Sequence, residues 1–147
     1  MAAVNAYLNF TGTCEAAFNF YRSVFGGEFD FVGRFKDMPP AEGQTMSPEQ
    51  GEQIMHISLP ISKETILMGS DAGGEWASQV QTGNNVQLSV NTDSEAEAQR
   101  IFNGLAEGGN ITMPLDKTFW GAYFGMLIDK FGIYWMVNYD YGQQGAS

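Results

Sequence analysis

The chain contains one cysteine, Cys14, and one histidine, His56. A lone cysteine excludes an intrachain disulfide and a thiolate zinc cluster. A lone histidine excludes a two-histidine metal site within the chain. Basic residues are scarce: seven Lys and Arg stand against seventeen Asp and Glu, for a net charge of −10. That balance repels phosphate backbones and anionic headgroups, so no nucleic-acid or membrane partner is expected. No HExxH and no GxSxG nucleophile elbow occurs. No long uninterrupted apolar run occurs either. The most aromatic stretch, FWGAYFGMLIDKFGIYWMVN (119–138), is broken by Asp129-Lys130, whereas a membrane helix needs about 20 apolar residues without a central charge. The start, MAAVNAYLNF, lacks the basic and apolar regions of a signal peptide. The expected location is the cytoplasm.

What is present indicates a folded core. The 147 residues are 14% aromatic and only 16% charged, which excludes wholesale disorder and suits one domain spanning 1–147. Two amphipathic helices stand out. CEAAFNFYRSVF places Ala17, Phe20, Tyr21 and Val24 on one face, and SEAEAQRIFNGLAE does the same with Ala98, Ile101, Phe102 and Leu105. Ser94 and Glu97 form a capping box, and the pairs Gly26-Gly27 and Gly108-Gly109 are stop signals. Aligning those glycine pairs reveals a repeat in which Asn9 meets Asn91, Glu15 meets Glu97 and Phe20 meets Phe102. The final strand pairs also align, from Ile54 on Tyr123 to Asp71 on Asp140. Each copy reads strand-helix-strand-strand-strand, giving modules at 1–71 and 85–141. DKFG reads as the tight turn of the last hairpin, with Gly132 at positive φ. The polar stretches 36–53 and 70–84 are long enough to be lids or connectors, and Met38, Met46 and the two prolines between them are candidates to close over a ligand.

Alternation along each strand assigns its faces. Ala6, Leu8 and Phe10, then Met55, Ile57 and Leu59, then Val86, Leu88 and Val90 are expected under the helices. In the last hairpin Phe124, Met126, Ile128, Trp135 and Val137 are expected there. The other face then holds Tyr7, Asn9, His56, Ser58, Gln87, Tyr123, Met136 and Asn138. It is nearly free of Lys, Arg, Asp and Glu, which ordinary exposed faces favour. Neutral polar groups among apolar ones suit a small-molecule pocket.

The paired modules, EAAFNFYRSVFGG, MHISL, the FWG at 119–121 and DKFGIYWMVN resemble the vicinal oxygen chelate superfamily of glyoxalases, bleomycin-resistance proteins and dioxygenases, and within it the PhnB-like subgroup. The resemblance implies an α+β fold whose two βαβββ modules form a cup with helices outside, commonly as a homodimer. Superfamily members with known chemistry hold a divalent metal in the cup. The corresponding places fall near Asn5, Leu67, Asn85 or Gln87, and Met136. None is a histidine or carboxylate, so no metal ligand is assigned and the cofactor stays open. Relatives in this subgroup are often labelled demethylubiquinone methyltransferases. A methyl-donor site of the usual kind wants a Gly-rich turn between strand and helix, whereas the glycine pairs here end helices.

The candidate residues follow. His56 is the candidate acid–base group, with neutral hydrogen bonding in the sheet as its plainer role. Tyr7, Asn9, Ser58, Gln87, Trp120, Tyr123, Met136 and Asn138 are candidate ligand contacts. Trp135 is assigned to the core, and Cys14 to a structural thiol. The expected function is small-molecule binding. The alternatives are an enzyme of lyase, isomerase or dioxygenase type using His56, and a non-catalytic dimeric interaction module.

Overall fold

The computed structural model describes residues 2–38 and 46–143, apart from the side chains of 74–76 and 143. The prolines expected to close over a ligand lie outside the described residues. In chain order the elements are β1 (Tyr7–Phe10), α1 (Cys14–Phe25), β2 (Phe31–Arg34), α2 (Pro48–Glu52), β3 (Ile54–Pro60), β4 (Ile66–Asp71), β5 (Leu88–Asn91), α3 (Glu95–Ala106), β6 (Asn110–Lys117), β7 (Ala122–Ile128) and β8 (Tyr134–Asp140). They fall into two compact units, Met1–Gln81 and Thr82–Ser147. The sheets are ordered β1-β4-β3-β2 and β5-β8-β7-β6, with β1 and β5 parallel to their neighbours and the other pairs antiparallel. The chain is thus α+β, with two βαβββ modules.

The two helices start by different means. At α3 the Ser94 hydroxyl accepts from the Glu97 amide at 3.0 Å, and the Glu97 carboxylate accepts from the Asp93 amide at 2.9 Å. The Ser94 cap expected from the sequence is present, but the Glu97 carboxylate reaches one residue further back, to Asp93, instead of the Ser94 amide of a capping box. Helix α1 has no such cap of its own. The carboxylate of Asp71, at the end of β4, accepts from the amides of Gly12 at 2.8 Å and Cys14 at 3.0 Å, and its second oxygen accepts from Ile54 at 2.9 Å.

Each helix buries one face on its own sheet. In the first unit Ala17, Phe18 and Tyr21 are fully buried along with Ile57 and Leu59. Phe20, expected on that face, is only half-buried, and Phe18 takes the inner place. The Phe18 ring lies against Gly69, where an added Cβ would stand 2.6 Å from it. In the second unit Phe102 lies against Gly125 in the same way: a Cβ there would meet the ring at 2.7 Å and the Leu115 Cα at 2.9 Å.

That glycine overturns part of the face assignment. In β7 the residues under α3 are Gly125 and Leu127, paired with Val137 and Trp135. Phe124, Met126 and Ile128 are on the opposite face, and Tyr123 is on the helix side. Alternation placed the large side chains inward, but the inner place at 125 is filled by the ring of Phe102. Trp135 and Val137 are buried as expected. Val86 precedes β5 and is 74% exposed rather than core.

The same slip enters the repeat. Asn9 pairs with Ser70 and Asn91 with Asn138, so Ser70 matches Asn138 and Asp71 matches Tyr139, not Asp140. By burial, Ala17, Tyr21 and Val24 match Ala98, Phe102 and Leu105. The glycine pairs misalign the helices because Glu107 intervenes before Gly108, whereas Gly26 directly follows α1.

The β7–β8 turn is built on Asp129, which is 3% exposed. One carboxylate oxygen accepts from the Phe131 amide at 2.8 Å and the Ile133 amide at 3.0 Å. The other accepts from the Trp135 indole at 2.9 Å. Gly132 takes φ 90°, as the turn requires. Asp129→Asn keeps one acceptor oxygen but sets an amide N–H against the indole N–H. We expect a loss of about 1–3 kcal/mol, the usual cost of an unsatisfied buried donor. Thermal denaturation should show a drop of several degrees, and an unchanged midpoint would refute the structural role.

Candidate functional site

The first sheet leaves one face uncovered by α1. Across it run Phe31 on β2, Ser58 on β3, Met68 on β4 and Tyr7 on β1, each paired with the next. His56 lies two residues before Ser58 and so on the same face. The Tyr7 hydroxyl and His56 Nδ1 are 3.2 Å apart in hydrogen-bond geometry. The two ring centroids are 5.6 Å apart, and Phe31 flanks the imidazole on its other side at 5.8 Å. Tyr7 and Phe31 are 44% and 49% exposed, while His56 is half-buried. Asn9 continues the face on β1 and is exposed, and Ser58 is buried. Four residues expected on this face, Tyr7, Asn9, His56 and Ser58, therefore come together. Phe31 went unrecognised in the sequence. Its signal is Gly33, which pairs with His56; a Cβ there would stand 2.8 Å from the Phe31 ring.

The open face of the second sheet is softer. One row runs Met113, Met126, Met136, Ser89 across β6, β7, β8 and β5. The next row runs Asp116, Phe124, Asn138, Asn91, and the Asn138 amide donates to the Asn91 side-chain oxygen at 3.3 Å. Trp120, 58% exposed, packs on Phe124 with centroids 6.1 Å apart. Met136 and Asn138 thus lie where expected. Gln87 precedes β5; its amide nitrogen donates to the Asn84 carbonyl at 3.5 Å, and its buried oxygen has no partner among the described residues. Tyr123 is the correction. It pairs with buried Tyr139 on the helix side, and its hydroxyl accepts from Gln99 of α3 at 3.0 Å. The one-residue slip in β7 carried it to the wrong face.

A cavity of about 510 Å³ opens beside the start of α1, lined by Gly12, Glu15, Pro48, Glu49, Glu52, Gln53 and Asp71. It contains none of the expected site residues, and most of its carboxylates are engaged. Glu15 takes two hydrogen bonds from Arg34, at 2.5 and 3.1 Å, which hold its carboxyl below the usual range. Glu52 pairs with Lys36 at 2.6 Å, and Asp71 serves three amides.

The divalent metal of the superfamily does not fit the residues present. Leu67 is buried under α1, so the residue matching Met136 on the open face is Met68. The Asn5 oxygen is engaged by the Ile66 amide at 3.1 Å. Among the described residues no group of three His, Cys, Asp or Glu side chains is placed to hold a metal. Thioethers are poor ligands for a hard ion.

Two βαβββ units with one helix-covered and one open sheet face define a glyoxalase/bleomycin-resistance-type fold of the PhnB-like kind, and solved members of that superfamily share the fold. The chain belongs to the family described as 3-demethylubiquinone-9 3-methyltransferase, whose model matches residues 2–138. It is 32% identical over 141 residues to protein YjdN of Escherichia coli K12, covering 92% of this chain and 93% of that one. A crystallised protein from Pseudomonas aeruginosa is 38% identical, with a TM-score of 0.79 over 95% of this chain and 98% of that one. A putative 3-demethylubiquinone-9 3-methyltransferase, PhnB protein, from Bacillus cereus is 25% identical, with a TM-score of 0.69 over 94% and 99%.

Cys14 at the start of α1 is fully buried, and its thiol is pushed far up, by burial first and by the neighbouring Asp71 carboxylate second. The helix N-terminus does not activate it. Because the folded value lies above the unfolded one, near 9.0, the protonated thiol favours the folded state below that pH, and this contribution falls as pH rises past it. At pH 8 the native protein should resist a thiol reagent such as dithionitrobenzoate and react fully once unfolded. Rapid labelling of the native protein would contradict the burial.

Proposed function

We propose that the protein binds a small organic molecule on the open face of its first sheet, with His56 as the polar anchor. The observation that carries this reading is the hydrogen bond between the exposed Tyr7 and the half-buried His56, with the exposed Phe31 ring on the imidazole's other side. A phenol is the better donor and an imidazole nitrogen the better acceptor. The bond then runs from the Tyr7 hydroxyl to Nδ1 and leaves the proton on Nε2. Among the described residues Nε2 has no partner, so it is available to a carbonyl or other oxygen of a ligand. Asn9 and Ser58 add polar groups, and Tyr7 and Phe31 offer faces for stacking. On the second unit, taken by itself, Trp120, Met136 and Asn138 on its open face, with Gln87 before β5, are candidate contacts for a ligand of that face. The net charge of −10 favours a cationic ligand. A cytoplasmic location, where Cys14 stays reduced, and a homodimer complete the reading.

The reading contains no methyl transfer. The start of α1, where a bound donor's anionic group would seek amides, is filled by the chain's own Asp71. A second reading makes His56 the acid–base group of a lyase, isomerase or dioxygenase-type reaction. What favours it is that Tyr7 fixes the ring while Nε2 remains unpaired.

A thermal-shift screen of cationic aromatic compounds tests binding. A ligand at 100 times its Kd adds about 2.7 kcal/mol of stability. His56→Ala and Tyr7→Phe should each weaken such a ligand about tenfold while leaving the ligand-free midpoint nearly unchanged. A screen in which no compound shifts the midpoint would reject the reading. Full turnover of an identified substrate by His56→Gln would reject the acid–base role.

A further inference from the structure

Three thioethers stand side by side on the open face of the second sheet. Met113 on β6 pairs with Met126 on β7, and Met126 pairs with Met136 on β8. Register shifts flank Met113 on both sides, yet it keeps its pairing with Met126, so the three residues meet on one face of neighbouring strands. Directly opposed residues hold their Cβ atoms about 4.5–5.5 Å apart. Each sulfur rides beyond its Cβ on an unbranched stem with three rotatable bonds. The outer two can lean toward Met126 from either side, which brings three sulfurs within reach of one ion. Met126 and Met136 are half-buried, and Met113, 44% exposed at the sheet edge, leaves the row open to solvent. The fourth member of the row, Ser89, is neutral. In the adjoining row the Phe124 ring stands next to Met126 and Met136, and Asp116 supplies one carboxylate at the edge.

We propose that Met113, Met126 and Met136 bind a soft monovalent cation of the copper(I) class. Thioethers select soft ions, whereas magnesium, calcium and manganese prefer oxygen. Neutral sulfurs leave the charge of the ion in place, where the adjacent aromatic ring and the acidic surface stabilise it. The ion enters and leaves in one oxidation state. The site is in the second unit and does not depend on the His56 reading.

Silver(I) nitrate in chloride-free buffer is the probe, added to protein carrying ¹³C-methyl methionine and Cys14→Ala to remove the one thiol. We expect saturation at one equivalent, with the methyl signals of Met113, Met126 and Met136 shifting and those of Met55 and Met68 unmoved. Met126→Leu, which keeps the apolar volume, should weaken binding at least tenfold, and magnesium should shift none of the three signals. Shifts spread equally over the exposed Met38 and Met46 would overturn the proposal. So would unchanged binding in a protein with all three methionines replaced by leucine, or binding seen only when Cys14 is intact.

Discussion

The geometry of the first unit depends on one buried carboxylate. Asp71 is 3% exposed and meets three backbone amides from two places distant in the chain, Gly12 and Cys14 at the start of α1 and Ile54 at the start of β3. A buried charge is tolerated only when it is fully hydrogen-bonded, and charge-assisted bonds of this kind contribute about 1.5–3 kcal/mol each. The three bonds pin the β1–α1 connection, the end of β4 and the entry of β3 to one point. His56 lies two residues beyond Ile54, and Tyr7 lies on the strand beside β4. The Tyr7–His56 distance is therefore inherited from the scaffold rather than set by a loop. Asp129 does comparable work in the second unit, closing the β7–β8 turn and orienting Trp135.

On both sheets the helix-covered side contains a glycine where a large ring presses in, Gly69 under Phe18 and Gly125 under Phe102. This close approach draws each helix onto one face of its sheet and leaves the opposite face open. The two open faces differ in chemistry. The first presents an imidazole, a phenol and a phenyl ring. The second presents thioethers, a phenyl ring and asparagine amides. Among the described residues, neither presents a set of oxygen and imidazole donors suited to a hard cation.

Much of this was legible in the sequence. The segment CEAAFNFYRSVF is α1 residue for residue, and DKFG forms the turn between β7 and β8. Helical periodicity and tight-turn chemistry are local, so these boundaries needed no tertiary information. The face of β7 was not legible, because Gly125 has no side chain with which to declare that it lies inside. Only the position of Phe102 decides it. Tyr123 was misplaced for that reason. Asp71 reads as a strand-end acid in sequence, and its role appears only when Gly12, Cys14 and Ile54 converge on it. Phe31 was missed because a four-residue edge strand gives too short an alternation to place its ring on the open face.

The most direct measurement of the account is a long-range ¹H–¹⁵N spectrum of the imidazole of His56, which is unambiguous because the chain has one histidine. At pH 8 the account predicts the ring proton on Nε2 and an acceptor-type Nδ1 signal that moves when Tyr7 is replaced by phenylalanine. A ring protonated on Nδ1, or an Nδ1 signal indifferent to that replacement, would contradict it.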